Sequence, residues 1–79
     1  MTSVEPIYRT LGRWLSRKRQ QRGVTQAQVA RALGVTRASY CNSEHGLQRI
    51  MLHQLPTIAA MVGVELDELL VQAFGKRAR

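Results

Sequence analysis

One short segment carries side chains whose chemistry matches the edges of nucleic-acid bases. Arg37, Ala38, Cys41 and Asn42 fall on one side of a helix drawn over this segment. Arginine bonds guanine O6 and N7, asparagine pairs with adenine N6 and N7, and an alanine methyl contacts the thymine methyl. Arg37 can also contact a phosphate or remain solvated, because its position alone does not separate these roles. We favour base reading, provided that the surrounding elements place this segment against a duplex.

Metal binding and catalysis find little support in the same chain. Cys41 and His45 stand four residues apart and can share a ligand, with His53 as a third candidate. Two or three such ligands without a C-x-x-C pair are weak evidence for zinc. One Asp, one Cys and two His offer no set of nucleophile, base and orienting group. We expect no enzyme activity, no metal and no cofactor.

The elements that must position the candidate base readers are two short helices joined by a tight turn. Thr25 and Gln28 stand in capping-box spacing at the start of the first helix. Gly34 follows the last apolar residue of this helix, at the place where a left-handed residue commonly ends a helix. Thr36 is a good N-cap for a second helix that reaches about His45. The apolar face consists of Val29, Ala30 and Leu33. This arrangement is typical of a helix-turn-helix, whose second helix enters the major groove with its N-terminal residues against the bases.

The pattern resembles the Cro and phage-repressor (XRE-like) family of DNA-binding domains. The matching features are Gln26 at the start of the first helix, an alanine at its middle, Gly34 in the turn and E-x-G after the second helix. The resemblance covers roughly Leu11 to Leu70. It implies an all-α fold, a compact five-helix repressor-type helix-turn-helix domain, that binds double-stranded DNA.

The resemblance also implies roles for residues outside the second helix. In the family the glutamine at Gln26 bonds a backbone phosphate, and a basic loop residue at the position of Arg49 often does the same. An arginine late in the first helix, here Arg19, often pairs with the glutamate of E-x-G, here Glu44. Weaker phosphate candidates are Thr25, Thr36 and Ser39. A general attractive field for a polyanion is expected from Arg13, Arg17, Lys18 and Arg22.

Helices are predicted on both sides of this motif, and no segment alternates as strands do. The first runs from Ile7 or Tyr8 to Gln21, the fourth over about Leu52 to Val62, and the fifth from Leu66. In the predicted organisation, residues 1–6 form a flexible arm, residues 7–74 the DNA-binding domain, and residues 75–79 a basic tail.

Two apolar sets lie outside the helix-turn-helix, and the one on the fifth helix exceeds what one small core can absorb. The fifth helix carries a set that we expect to form a dimer interface: Leu66, Leu69, Leu70 and Phe74. The loop after Gly46 carries a second set, which either packs locally or binds another protein: Leu47, Ile50 and Met51.

Composition agrees with a nucleic-acid partner. The 79 residues contain 12 Lys plus Arg against 5 Asp plus Glu, a net charge of +7 and a pI of about 11.2. Such a balance favours a polyanion. The single cysteine fits a reducing cytoplasm. The longest apolar run is far shorter than the roughly 20 residues of a membrane span. We expect a cytoplasmic protein with no membrane association.

The leading hypothesis is a homodimeric, sequence-specific transcriptional regulator on a palindromic operator, either a repressor or a controller of phage or restriction-modification type. One alternative is an antitoxin that represses its own operon, although little chain remains outside the domain for binding a toxin. Another is a protein-interaction adaptor that uses the helix-turn-helix as a scaffold and binds through the loop set and Phe74. The basic charge argues against the adaptor.

Overall fold

The computed structural model describes residues 6–75, which contain five α-helices and no strand. The helices are α1 (Pro6–Arg22), α2 (Gln26–Leu33), α3 (Arg37–Glu44), α4 (Leu55–Val62) and α5 (Leu66–Phe74). The predicted all-α, five-helix fold is confirmed. The predicted arm and tail lie outside the described residues, except that Pro6 begins α1 and Gly75 ends α5.

Local signals set the ends of α2 and the start of α3. The Gln28 amide donates to Thr25 Oγ1 at 3.0 Å, and the Thr25 amide donates to Gln28 Oε1 at 2.8 Å, so the predicted capping box is formed. Gly34 ends α2 with φ 74°, a left-handed conformation that side chains rarely adopt. These signals fix the angle at which the chain enters α3.

The fourth helix begins later than its sequence suggests. A helix through Leu52 would need the amide of Pro56 to donate to the Leu52 carbonyl, and proline has no amide hydrogen. The chain instead forms a 3-10 turn over Leu52–Gln54, and α4 starts at Leu55. The Met51 amide donates to Gln54 Oε1 at 2.9 Å, which satisfies one donor of this turn without an N-cap side chain.

The core is one cluster drawn from every α-helix and from the loop before α4. Its most deeply buried large side chains are Leu15, Val29, Tyr40, Ile58 and Leu69. The prediction that Leu69 lies in a dimer interface is therefore wrong, because its side chain is fully buried in this core. Ile50 of the loop set is only 6% exposed, so this residue packs locally, which is one of the two alternatives that the sequence left open.

Gly12 brings α1 and α3 into close contact. A Cβ at position 12 would lie 2.6 Å from the Ser43 carbonyl oxygen and against the Glu44 carbonyl oxygen, so no larger residue fits without moving the backbone. The close approach holds the end of α3 against α1. It places Glu44 within reach of side chains from both α1 and α2.

Candidate nucleic-acid interface

The outward side of α3 starts at its first helical residue. Thr36 Oγ1 accepts a hydrogen bond from the Ser39 amide at 3.1 Å, which caps the helix. Tyr40 turns inward and is 1% exposed. The predicted base-reading residues lie on the other side, with Arg37, Ala38 and Asn42 exposed and Cys41 half-buried. The structure thus leaves a polar side of α3 open to a partner.

The weaker phosphate candidates have defined local roles. The hydroxyl oxygens of Thr25 and Thr36 act as cap acceptors, and each hydroxyl still has a hydrogen to donate. Ser39 Oγ accepts from Gln48 Nε2 at 2.6 Å, which ties the loop after α3 to its first turn. Gln48 carried no sequence signal, because this contact depends on how the loop folds back. Arg49 follows it and is exposed.

A charged network lies between α1, α2 and α3. Arg19 Nε donates to Glu44 Oε2 at 2.7 Å and Arg19 Nη2 donates to Glu44 Oε1 at 3.2 Å, so the predicted pair is present in a two-bond geometry. Arg19 Nη1 donates to the Val24 carbonyl at 2.9 Å. The side chains of Arg19 and Glu44 are 11% and 3% exposed, respectively. The ion pair therefore joins α1 to α3 through a largely desolvated carboxylate.

Gln26 belongs to the same network. Its Nε2 donates to Glu44 Oε1 at 3.0 Å. The amide nitrogen has a second hydrogen, so a phosphate contact remains open to it. The sequence pointed to a phosphate contact for Gln26 and missed this structural role, because Glu44 lies 18 positions away.

The network changes the acidity of two buried groups. Burial alone would raise the pKa of Glu44, but hydrogen bonds from Arg19 and Gln26 and the Arg19 charge lower it below its usual value of 4.5. Burial and the nearby Glu44 carboxylate raise the pKa of Tyr40. The Tyr40 hydroxyl has no well-formed hydrogen bond among the described residues. Glu44 is therefore a carboxylate that the fold holds in its charged form.

A lowered pKa in the folded state makes stability depend on pH. The Glu44 contribution is fully present above about pH 4.5 and is lost as the pH falls through the folded-state value, because the unfolded chain then binds the proton more tightly. We expect the difference in unfolding free energy between wild type and Glu44→Gln to shrink as the pH is lowered. Urea denaturation from about pH 7 to about pH 3 measures this difference. A constant difference over that range would contradict the assignment.

Cys41 and His45 form a close pair at the end of α3. Cys41 Sγ lies 3.6 Å from His45 Nδ1, and the same nitrogen lies 2.9 Å from the Cys41 carbonyl oxygen. Between residues 6 and 75, no group of three or more His, Cys, Asp or Glu side chains is arranged to hold a metal ion. The pair is thus a local contact on the helix.

Apolar side chains also remain exposed in the loop after α3 and on α5. In the loop set, Leu47 and Met51 are 70% and 55% exposed, and neighbouring Leu52 is 81% exposed. On α5, Leu66, Leu70 and Phe74 are exposed. An open groove of about 390 Å³ lies between α1 and α5, lined by Ile7, Tyr8, Leu52, Leu70 and Phe74 among others.

A helix-turn-helix family model matches residues 15–69, which include all of α2, α3 and α4. The chain belongs to the Cro/C1-type (XRE-like) helix-turn-helix family. It is therefore a DNA-binding transcriptional regulator and not an enzyme. Over the part of the chain that the structure describes, no helix is long and apolar enough to cross a membrane.

Two solved structures of a clp gene regulator are similar to this chain. One, the clp gene regulator ClgR from C. glutamicum, has 27% sequence identity and a TM-score of 0.75, covering 94% of this chain and 97% of that chain. A second structure of ClgR from Corynebacterium glutamicum has 24% identity and a TM-score of 0.79, and the match covers 90% of this chain and 76% of that chain. No curated protein matches the sequence significantly.

Proposed function

We propose that the protein acts as a homodimer that binds a palindromic operator and represses or controls transcription there, as a phage-type or restriction-modification-type regulator. The observation that carries this proposal is the open side of α3, which starts with Arg37 directly after the Thr36 cap. In a helix-turn-helix the first residues of this helix reach the base edges. Similarity to a clp gene regulator supports control of transcription as the output. The proposed location is the cytoplasm.

The proposed dimer uses the exposed part of α5. Leu66, Leu70 and Phe74 leave an apolar surface next to the α1–α5 groove, and a second copy of the chain would cover it. Leu69 takes no part, since it is buried in the core of each protomer. Twofold symmetry would set the two α3 helices about 34 Å apart, one turn of DNA.

The decisive experiment is selection of binding sites from a random duplex pool with purified protein. The proposal expects an enriched inverted repeat whose half-sites lie one helical turn apart. Sedimentation of the complex should show two protomers on that duplex. A pool without enrichment, or a monomer on a single half-site, would overturn the proposal.

Arg37→Ala tests which residue reads sequence. We expect about a 1–3 kcal/mol loss on the selected duplex and little change on random DNA, because a bidentate bond to guanine is lost. Competitive binding to both duplexes measures the difference.

The control for Arg37→Ala is Arg49→Ala. A phosphate contact carries no sequence information, so Arg49→Ala should weaken both duplexes by similar factors. Gln26→Ala should also weaken both duplexes by similar factors, and it removes the bond from Gln26 to Glu44 as well. Equal loss on both duplexes in Arg37→Ala would place α3 in a different register, with Asn42 as the specificity residue.

A protein-interaction adaptor is the second candidate. The exposure of Leu47, Met51 and Leu52 favours it, since large apolar side chains that remain exposed close together in the chain can contact another protein. The two functions differ in their response to salt: DNA binding weakens as salt rises, whereas an apolar protein contact does not.

A further inference from the structure

The three helices around Glu44 also enclose an open cleft of about 470 Å³ on the protein surface. One wall is a stripe of arginines on α1, formed by Arg9, Arg13 and Arg17, each one turn from the next. Gln26 at the start of α2 and His45 after α3 form the opposite wall. We call this the arginine cleft.

The arginine cleft is strongly positive because its charges are not balanced. Its only carboxylate is Glu44, which Arg19 already neutralises at 2.7 Å. Arg9, Arg13 and Arg17 are exposed, and none of them forms an ion pair with another residue of the range 6–75. Three guanidinium groups therefore line the same cleft without a counter-charge from any residue in the range 6–75.

The chemistry of the cleft suits a phosphodiester. A guanidinium group presents parallel N–H donors that match two phosphate oxygens. The second amide hydrogen of Gln26 can also donate to a phosphate oxygen. The N-terminus of α2 adds a partial positive charge on that side. An apolar or cationic ligand would meet only repulsion or unpaired donors.

The position of the cleft relative to α3 indicates which phosphate it would hold. Glu44 and His45 lie at the end of α3 opposite to Arg37, about 10 Å away along the helix axis at 1.5 Å per residue. A group bound in the cleft is thus separate from the base pairs beside Arg37. Gln26, the predicted phosphate contact, lies on the border of the cleft.

We propose that the arginine cleft binds a DNA backbone phosphate flanking the base pairs that α3 reads, so that α1 extends the footprint of each protomer. The inference rests on the proposed DNA-binding function. It gives Arg13 and Arg17 a defined contact in place of the general field expected from the sequence. Arg9 is the third arginine of the stripe. The backbone at Gly46 packs against Arg9, which keeps this end of α1 beside the end of α3.

The test compares two double variants with equal loss of charge. Arg13→Gln/Arg17→Gln removes two arginines of the cleft, and Arg22→Gln/Arg31→Gln removes two exposed arginines that do not line it. Affinity for the selected duplex is measured across a salt series, and ethylation interference identifies the phosphates that each protein needs. Thermal unfolding verifies that both variants are folded.

We expect the cleft variant to lose at least about tenfold in affinity beyond the control, and one flanking phosphate per half-site to lose its interference signal. The salt slope should become shallower by about two per dimer, one per released phosphate contact. Arg13→Lys/Arg17→Lys, which keeps the charge without the planar fork, should recover the slope more than the affinity.

Equal losses in the two double variants, with the interference pattern unchanged, would overturn the inference while leaving sequence selection through Arg37 intact. Failure of the wild-type protein to select any duplex would instead count against the proposed function. A third outcome is that free inorganic phosphate inhibits DNA binding by the wild-type protein but not by the cleft variant, while the interference patterns of the two proteins are the same. This result would assign the cleft to a free anion and would also overturn the inference.

Discussion

Replacing Arg19 with alanine should lower the free energy of unfolding by about 3–5 kcal/mol, because it leaves the Glu44 carboxylate buried without its charge partner. Glu44 is 3% exposed and takes two bonds from Arg19, so water cannot replace the guanidinium at little cost. The same substitution removes the bond from Arg19 to the Val24 carbonyl in the turn before α2. For a domain of this size the melting temperature should fall by at least about 12 °C.

The control is Arg17→Ala, which removes an exposed arginine from the same helix and should change stability by at most about 0.5 kcal/mol. A double variant, Arg19→Met/Glu44→Gln, removes the buried charge together with its partner. It should be more stable than Arg19→Ala, since no carboxylate is left unpaired. Equal melting temperatures for Arg19→Ala and Arg17→Ala would show that the pair contributes nothing.

Affinity for DNA should fall about a thousandfold between roughly 50 and 200 mM salt, if the dimer neutralises about six phosphates. The expectation follows from the net charge of +7 and from the arginines on α1 and in the loop after α3. Each neutralised phosphate releases condensed counterions, so log K falls with log salt at about −0.9 per phosphate.

The measurement is a salt titration on the selected duplex and on a random duplex of equal length. Both should show steep slopes, because phosphate contacts do not depend on sequence. A nearly flat slope on both duplexes would remove the electrostatic basis of the proposed function and would favour the adaptor.

The helix-turn-helix could be predicted from the sequence because its signals are local. The Thr25 and Thr36 caps and the left-handed Gly34 act over three or four residues, and the structure forms each of them as expected. The open side of α3 follows from the same register, since helical geometry alone separates Arg37 from Tyr40. The family resemblance, carried by the same residues, agrees with the match over residues 15–69.

Contacts between distant residues decided the rest. Leu69 and Leu70 are both leucines on α5, and only packing against the other helices buries the first and exposes the second. The sequence left Ile50 open between local packing and a surface for a partner, and the same kind of packing places it in the core. Gln26 bonds a carboxylate 18 residues away, and the arginine cleft exists because Gly12 lets α3 lie against α1. The sequence by itself determined helix ends and the faces of each helix, which depend on short-range geometry. Only the tertiary structure decided which faces meet, because burial and ion pairing depend on neighbours that are far apart along the chain.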